Sequence, residues 1–307
     1  MVQQEVVGMT IKKLDLDLIP QLKSKEVRAK RKVLARILEG SWTALLKGRG
    51  MEFAGFRKYT YGDDASRIDW GASLRAKDTL IREFEEYKSV NVLFVLDLSN
   101  TMLFSSQKKM KAEYAAEVVF NLAVAILDNG DSVGYVLFNT QVVAKSMPNI
   151  GKEAIYDLAN SLSNPKNYGG GKDLKRVVSS IDIMLKQRAL IILVSDFIGM
   201  QPGWESYIKM LAEKFDLIGI MIRDPRDRQF PEQGRQFLLE DPFSQERMYV
   251  DVNEYRHLFE KAVREEERAI KGVFDAAKAG FISISTGDDM LRPILDYFKR
   301  RSNIVKS

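Results

Sequence analysis

Three stretches of the chain are uninterrupted apolar runs that each end in aspartate: 91–97 (NVLFVLD), 189–196 (ALIILVSD) and 216–224 (DLIGIMIRD). A run without polar alternation reads as a strand covered on both faces, the usual state of strands in a parallel sheet. Amphipathic stretches separate them. Residues 109–127 place Ala115, Val118, Val119, Leu122 and Ile126 at helical spacing, and 152–162, 173–187 and 205–214 read as further helices. Alternating strands and helices predict an α/β fold with a mostly parallel sheet flanked by helices. Around this core, 132–138 with 141–144 reads as a hairpin, and so does 235–252. Residues 253–278 read as a long helix, 281–286 as a last strand and 289–300 as a closing helix.

In such sheets the loops leaving the carboxyl ends of the strands carry function. Asp97 and Asp196 are delivered to that edge, and Asp97-Leu98-Ser99-Asn100-Thr101 adds two hydroxyls at alternate positions. This donor set suits a hard cation, although Ser99, Thr101 and Asp196 could equally serve as helix caps. The chain has no cysteine and one histidine, His257, set in the charged helical pattern NEYRHLFEKAVREEER and read as a surface or packing residue. Thiolate chemistry is excluded and histidine-based nucleophilic catalysis is disfavoured, so any metal would be held by oxygen: Mg²⁺, Mn²⁺ or Ca²⁺.

Charge is unevenly spread. Residues 21–50 hold nine Lys and Arg against Glu26 and Glu39, more than the +5 excess of the whole chain. Residues 15–46 read as mostly helical, so this is either a solvated helix face or an electrostatic surface for an acidic protein or nucleic acid. A protein is favoured because no nucleic-acid-binding motif accompanies the basic residues. No apolar run approaches membrane-spanning length and the N-terminus has no signal-peptide pattern. The expectation is a cytoplasmic protein that does not engage the membrane.

The segment 48–86 is the most distinctive. Gly62-Asp63-Asp64 reads as a turn, and arginines including Arg57 and Arg67 alternate with Asp63, Asp64 and Asp69 among Tyr59, Trp70 and other aromatics. The expectation is a partly buried ion-pair network pinned by aromatics, in which Trp70 and Arg67 support the fold. An acidic catalytic or metal site at 63–69 is disfavoured, because the neighbouring arginines would neutralise it.

Asp97-Leu98-Ser99-Asn100-Thr101 resembles the D-x-S-x-S/T signature of von Willebrand factor A domains, and Ser195-Asp196-Phe197 matches the position of that family's later aspartate. The resemblance implies a metal-ion-dependent adhesion site with an intermediate threonine after a Gly-Gly pair. In Gly170-Gly171-Lys172-Asp173-Leu174 that place holds Lys172. Either the ammonium replaces the cation between Asp97 and Asp196, or Lys172 turns to solvent and Asp173 or water completes a metal shell.

The R-x-Y-x-x-G-D-D … R-I-D-W pattern of residues 57–70 resembles the hallmark of the MoxR-associated family, catalogued as the fifty-eighth domain of unknown function. The resemblance continues through Asp224-Pro225-Arg226-Asp227 and Tyr297-Phe298-Lys299-Arg300-Arg301, covering about 10–301. It implies a non-enzymatic partner of MoxR-type AAA+ ATPases, acting on the assembly, remodelling or metal loading of a client complex. The expected organisation is an N-terminal extension, 1–87, and a von Willebrand factor A-like domain, 88–301. Two other readings stand beside it: a metal-dependent hydrolase using Asp97, Asp196 and the 63–69 acids, and a nucleic-acid-binding protein using 21–50.

Overall fold

The computed structural model describes residues 51–86, 90–230, 236–240 and 247–306, with Leu14, Leu16, Leu18 and Pro20 of the N-terminal segment. The basic stretch 21–50 lies outside the described residues, and so does nearly all of the helical reading of 15–46.

The core is a six-stranded sheet made of β3 (Asn91–Asp97), β4 (Ser132–Phe138), β5 (Val142–Asn149), β6 (Leu190–Ser195), β7 (Asp216–Arg223) and β10 (Gly280–Ser285). Its order is β10-β7-β6-β3-β4-β5, parallel except for the antiparallel edge pair β4–β5. The three apolar runs are the central neighbours β7, β6 and β3, where both faces are covered and no polar alternation is needed. At Gly134 a Cβ would meet the backbone of Pro148 at 2.6 Å, which is why the strand facing β5 has no side chain there.

Helices cover both faces. On one lie α2 (Lys111–Asp128), α3 (Lys152–Ser163) and α8 (Leu291–Lys306); on the other lie α4 (Leu174–Met184), α5 (Trp204–Lys214) and α7 (Val252–Ala276). A single turn, α6 (Pro225–Arg228), follows β7. Although its sequence suggests one apolar face, α2 is buried from Lys111 through Ile126, in one core cluster with the sheet, α3, α8 and the N-terminal Leu18. Surrounded helices need apolar or paired residues all round, and the polar members of α2 are accordingly engaged: Glu117 takes both oxygens' bonds from Lys109, 2.6 Å each.

Outside the sheet, β1 (Met51–Lys58) and β2 (Leu80–Glu86) form an antiparallel pair with the short helix α1 (Trp70–Ala76) between them. β8 (Gln236–Glu240) and β9 (Arg247–Asp251) form the second hairpin. Exposed His257 lies on α7.

Candidate functional site

Parallel β3 and β6 are adjacent, so their carboxyl ends present Asp97 and Asp196 side by side; both are fully buried. The turn after β3 is folded by its own side chains. Asp97 Oδ1 accepts the Ser99 N–H at 2.9 Å, and Asp97 Oδ2 accepts the Ser195 hydroxyl at 2.6 Å. Thr101 Oγ1 lies 3.3 Å from Ser99 Oγ and donates to Asp196 Oδ1 at 3.1 Å.

The loop before α4 brings Lys172 to this turn. Asn100 N–H donates to the Gly170 carbonyl (2.9 Å), and Gly170 N–H donates back to Asn100 Oδ1 (3.0 Å). Gly169 and Gly170 have φ of +110° and +77°, a conformation that favours glycine. The chain emerging from this double contact aims Lys172 inward. Its ammonium stands 2.8 Å from Asp97 Oδ2, 2.8 Å from Asp196 Oδ1 and 3.0 Å from Thr101 Oγ1.

A second lysine closes the other side. Lys111, the first residue of α2, donates to Asp196 Oδ2 at 2.8 Å and to Asp227 Oδ2 at 2.7 Å, with its charge 5.6 Å from the Phe104 ring centre. Asp227 also accepts the Asp224 N–H (2.9 Å), and buried Asp224 accepts from Ser106 N–H (2.8 Å), from the Ser106 hydroxyl and from Arg226 N–H (2.8 Å). Phe197, next to Asp196, holds φ +55°, a strained conformation for a bulky residue. It is kept there by the Ser195 hydroxyl on its N–H (3.0 Å) and by the rings of Trp204, Phe274 and Phe281.

The residues present do not fit a divalent cation. The two carboxylates that would hold it already share the Lys172 ammonium, and no group of three or more His, Cys, Asp or Glu in metal-holding arrangement exists among the described residues. Asp173, considered as a completing ligand, is instead the cap of α4: it accepts the Arg176 N–H at 3.1 Å and pairs with Arg176 Nε at 3.0 Å. An aspartate at a helix start is drawn to the free N–H groups there. The sequence reading missed Lys111 and Asp227. Asp227 could have been found from D-P-R-D after an apolar run; Lys111 had no signal beyond a lysine at a helix start.

Ionisation follows from these contacts. Burial opposes the charge on Asp196, but the ammonium groups of Lys111 and Lys172 outweigh it and hold its carboxyl well below the ordinary 3.8. Burial also works against the charged form of Lys172, and Asp97 and Asp196 outweigh that, raising it above 10.5. Asp227 goes the other way, burial pushing its carboxyl up despite Lys111. A depressed carboxyl stabilises the fold fully above its unfolded value, and that stability is lost as pH falls below it. A raised lysine stabilises fully below its unfolded value and loses that as pH rises through the folded one. Asp227 opposes the first effect, returning stability as it protonates. Urea unfolding at a series of pH values should therefore give nearly constant stability from about pH 5 to 9, with loss on both flanks. The alkaline loss attributable to Lys172 should vanish in Lys172→Met; its persistence there would assign it to other groups.

The 48–86 signature departs from expectation in its aromatic packing rather than in its ion pairs. Its ion pairs form: Arg57 binds Asp63 through both nitrogens at 2.7 and 2.8 Å, and Arg82 binds Asp69 at 2.7 and 2.8 Å. Gly62 makes the turn with φ +105°, and Asp64 and Asp69 cap the turns that follow. The Arg57–Asp63 pair is half-buried as expected, but Trp70 and Arg67 are not packed inside. Trp70 is 67% exposed, the Arg67 side chain 54%, and Tyr59 is half-buried. The expectation that Trp70 pins a core is corrected: of α1 only Ala72 and Ser73 are buried, because that face alone meets the hairpin. The 63–69 acids are bound to arginines of their own hairpin, so nothing draws them into the Asp97 cluster.

A parallel sheet of this order, with a D-x-S-x-T turn after its central strand and a second aspartate on the neighbouring strand, defines a von Willebrand factor A-like domain whose central cation is a lysine. The chain belongs to the family described as "Protein of unknown function DUF58", whose sequence profile matches residues 55–269. An uncharacterized protein of Mycobacterium tuberculosis is 22% identical over 289 residues, 94% of this chain and 90% of the relative. One from Mycobacterium avium is 22% identical over 162 residues, 53% of this chain and 94% of the relative. Among solved structures, the conserved hypothetical protein BatB from Bacteroides thetaiotaomicron aligns with a TM-score of 0.46 at 16% identity, over 70% of this chain and all of that one. A von Willebrand factor type A protein from Catenulispora acidiphila aligns with a TM-score of 0.39 at 15% identity, over 73% and 43% of the two chains. Among the described residues no helix is long and apolar enough to cross a membrane.

Proposed function

We propose that this protein is a non-catalytic interaction protein of the cytoplasm, a partner of MoxR-type AAA+ ATPases in assembling or remodelling protein complexes, and that its strand-end site works without a divalent cation. The observation that carries the non-catalytic reading is the engagement of every carboxylate in the site. Asp97, Asp196 and Asp227 are each bound to a lysine ammonium, and the first two are fully buried. A general base needs a reachable lone pair and a nucleophile an activating neighbour, and a carboxylate locked between ammonium groups offers neither. The hydrolase reading loses its second set of acids as well, since Asp63 and Asp69 neutralise Arg57 and Arg82. The ATPase as partner rests on the family resemblance.

The test is co-sedimentation of the purified chain with a purified MoxR-type ATPase from the same cell, nucleotide-free, in Mg²⁺ and in EDTA. A complex of equal affinity in both supports an adaptor that carries its own cation. Absence of a complex at micromolar concentration would sink the ATPase reading, and a complex seen only with Mg²⁺ would sink the metal-independent one.

A further inference from the structure

We propose that the exposed face of α1, centred on Trp70 and Leu74, is a docking surface for an acidic amphipathic helix of a partner protein. The proposal rests on the adaptor reading and deepens it by naming the contact surface and the chemistry of the contact.

Trp70 and Leu74 stand four residues apart on a helix and so share one face. They are 67% and 80% exposed, and Tyr61, in the turn leading to the helix, is fully exposed. Large apolar side chains in solvent at helical spacing mark interaction surfaces more often than chance, and tryptophan with arginine dominates the energetics of such surfaces. Nothing in the local fold requires them there. The helix is anchored to its hairpin by Ala72 and Ser73, and the Ser73 hydroxyl donates to the Asp69 carbonyl (2.7 Å) and accepts the Leu80 N–H (2.9 Å).

Charge identifies the occupant. Five carboxylates of this unit are engaged locally: Asp63 and Glu83 with Arg57, Asp64 with Ser66, Asp69 with Arg82 and the Ala72 N–H, and Asp78 with Lys58. At the C-terminal end of the helix the cations are not neutralised in the same way. Exposed Arg75 and Lys77 have no carboxylate within salt-bridge distance among the described residues, and Arg67 has only Asp64 at 3.8 Å. An apolar ridge beside two unneutralised cations is complementary to a helix with apolar residues at i, i+3, i+4 and i+7 and glutamate or aspartate beside them. A second copy of this chain would set like charges against one another. Nucleic acid is disfavoured because aliphatic Leu74, which offers no ring to stack on, is more exposed than Trp70, and the exposed Asp64 side chain close by would repel phosphates.

The test uses the full chain and a fluorescein-labelled synthetic peptide of about 18 residues, with leucines at those helical positions and glutamates on the remaining face. Saturable binding followed by anisotropy is expected, weakened at least about tenfold by Trp70→Ala and by Leu74→Asp. Arg75→Glu combined with Lys77→Glu should reverse the preference toward a peptide with lysines in place of glutamates. These exposed substitutions should leave the melting temperature unchanged, so lost binding would not reflect unfolding. The proposal is overturned if wild type does not bind the peptide, or if Trp70→Ala binds it as well as wild type does. It is equally overturned if the lysine peptide binds wild type as tightly, if a single-stranded oligonucleotide displaces the acidic peptide, or if wild type sediments as a dimer that Trp70→Ala dissociates. The peptide assay contains no ATPase. An ATPase that binds wild type and Trp70→Ala equally removes the docking site and leaves the adaptor reading, whereas peptide binding at α1 without any ATPase complex does the reverse.

Discussion

Lys172→Met is expected to lower the unfolding free energy by about 3–5 kcal/mol, since removing one partner of a buried ion pair leaves its counter-charges uncompensated. Methionine is close to lysine in volume and leaves little cavity, so the loss reports electrostatics rather than packing. Asp97 would keep only the Ser195 hydroxyl and the Ser99 N–H, while Asp196 would still have Lys111. Adding Asp97→Asn to Lys172→Met should restore part of the loss, because the charge left behind is then removed. Lys172→Thr supplies the hydroxyl of an adhesion-type site and should respond to Mg²⁺. In wild type a divalent ion about 4 Å from the ammonium would be repelled by more than the roughly 4 kcal/mol calculated for two unit charges at an effective dielectric of about 20. Magnesium at 100 times its dissociation constant would return about 2.7 kcal/mol to the threonine variant and nothing to wild type. Urea unfolding of the four proteins with and without Mg²⁺ measures all of this. Equal stabilisation of wild type by Mg²⁺, or a Lys172→Met variant within about 1 kcal/mol of wild type, would show that Lys172 is not the site's cation.

Phe274→Ala should cost about as much, roughly 3–5 kcal/mol, by a different route. The ring is fully buried on α7 and fills the space over Gly219, where even a Cβ would come within 2.5 Å of it. It also packs edge-on against Phe197 at 5.5 Å and beside Phe281 at 5.1 Å. Its loss opens a cavity and removes one of the contacts that hold Phe197 at positive φ. The backbone at Asp196 should then relax, moving the carboxylate from between its two lysines. Besides lowered stability in urea, the variant should lose part of the acid-side stability that the lowered pKa of Asp196 provides. A loss below about 1 kcal/mol, with an unchanged pH profile, would show that the strained turn holds without this ring.

Much of the architecture was legible in the chain because it is written in local pattern. A short apolar run without alternation, rich in Val, Ile and Leu, reads as a strand covered on both faces, and three of them separated by helices point to a parallel sheet. That arrangement sets Asp97 and Asp196 at one edge whatever the surrounding detail, and Lys172 stands where a hydroxyl is expected on the loop between their strands. The rest depended on packing between distant segments. Lys111 reaches Asp196 and Asp227 only because α2 is buried on all sides and its first turn lies over the strand ends, contacts that span 85 and 116 positions. No periodicity encodes such a meeting. Likewise, the signature 57–70 reveals its charge pairs, which close within one hairpin, but not its exposure. Whether Trp70 is inside or outside depends on what else lies against α1, and among the described residues only the hairpin side of that helix, at Ala72 and Ser73, is covered.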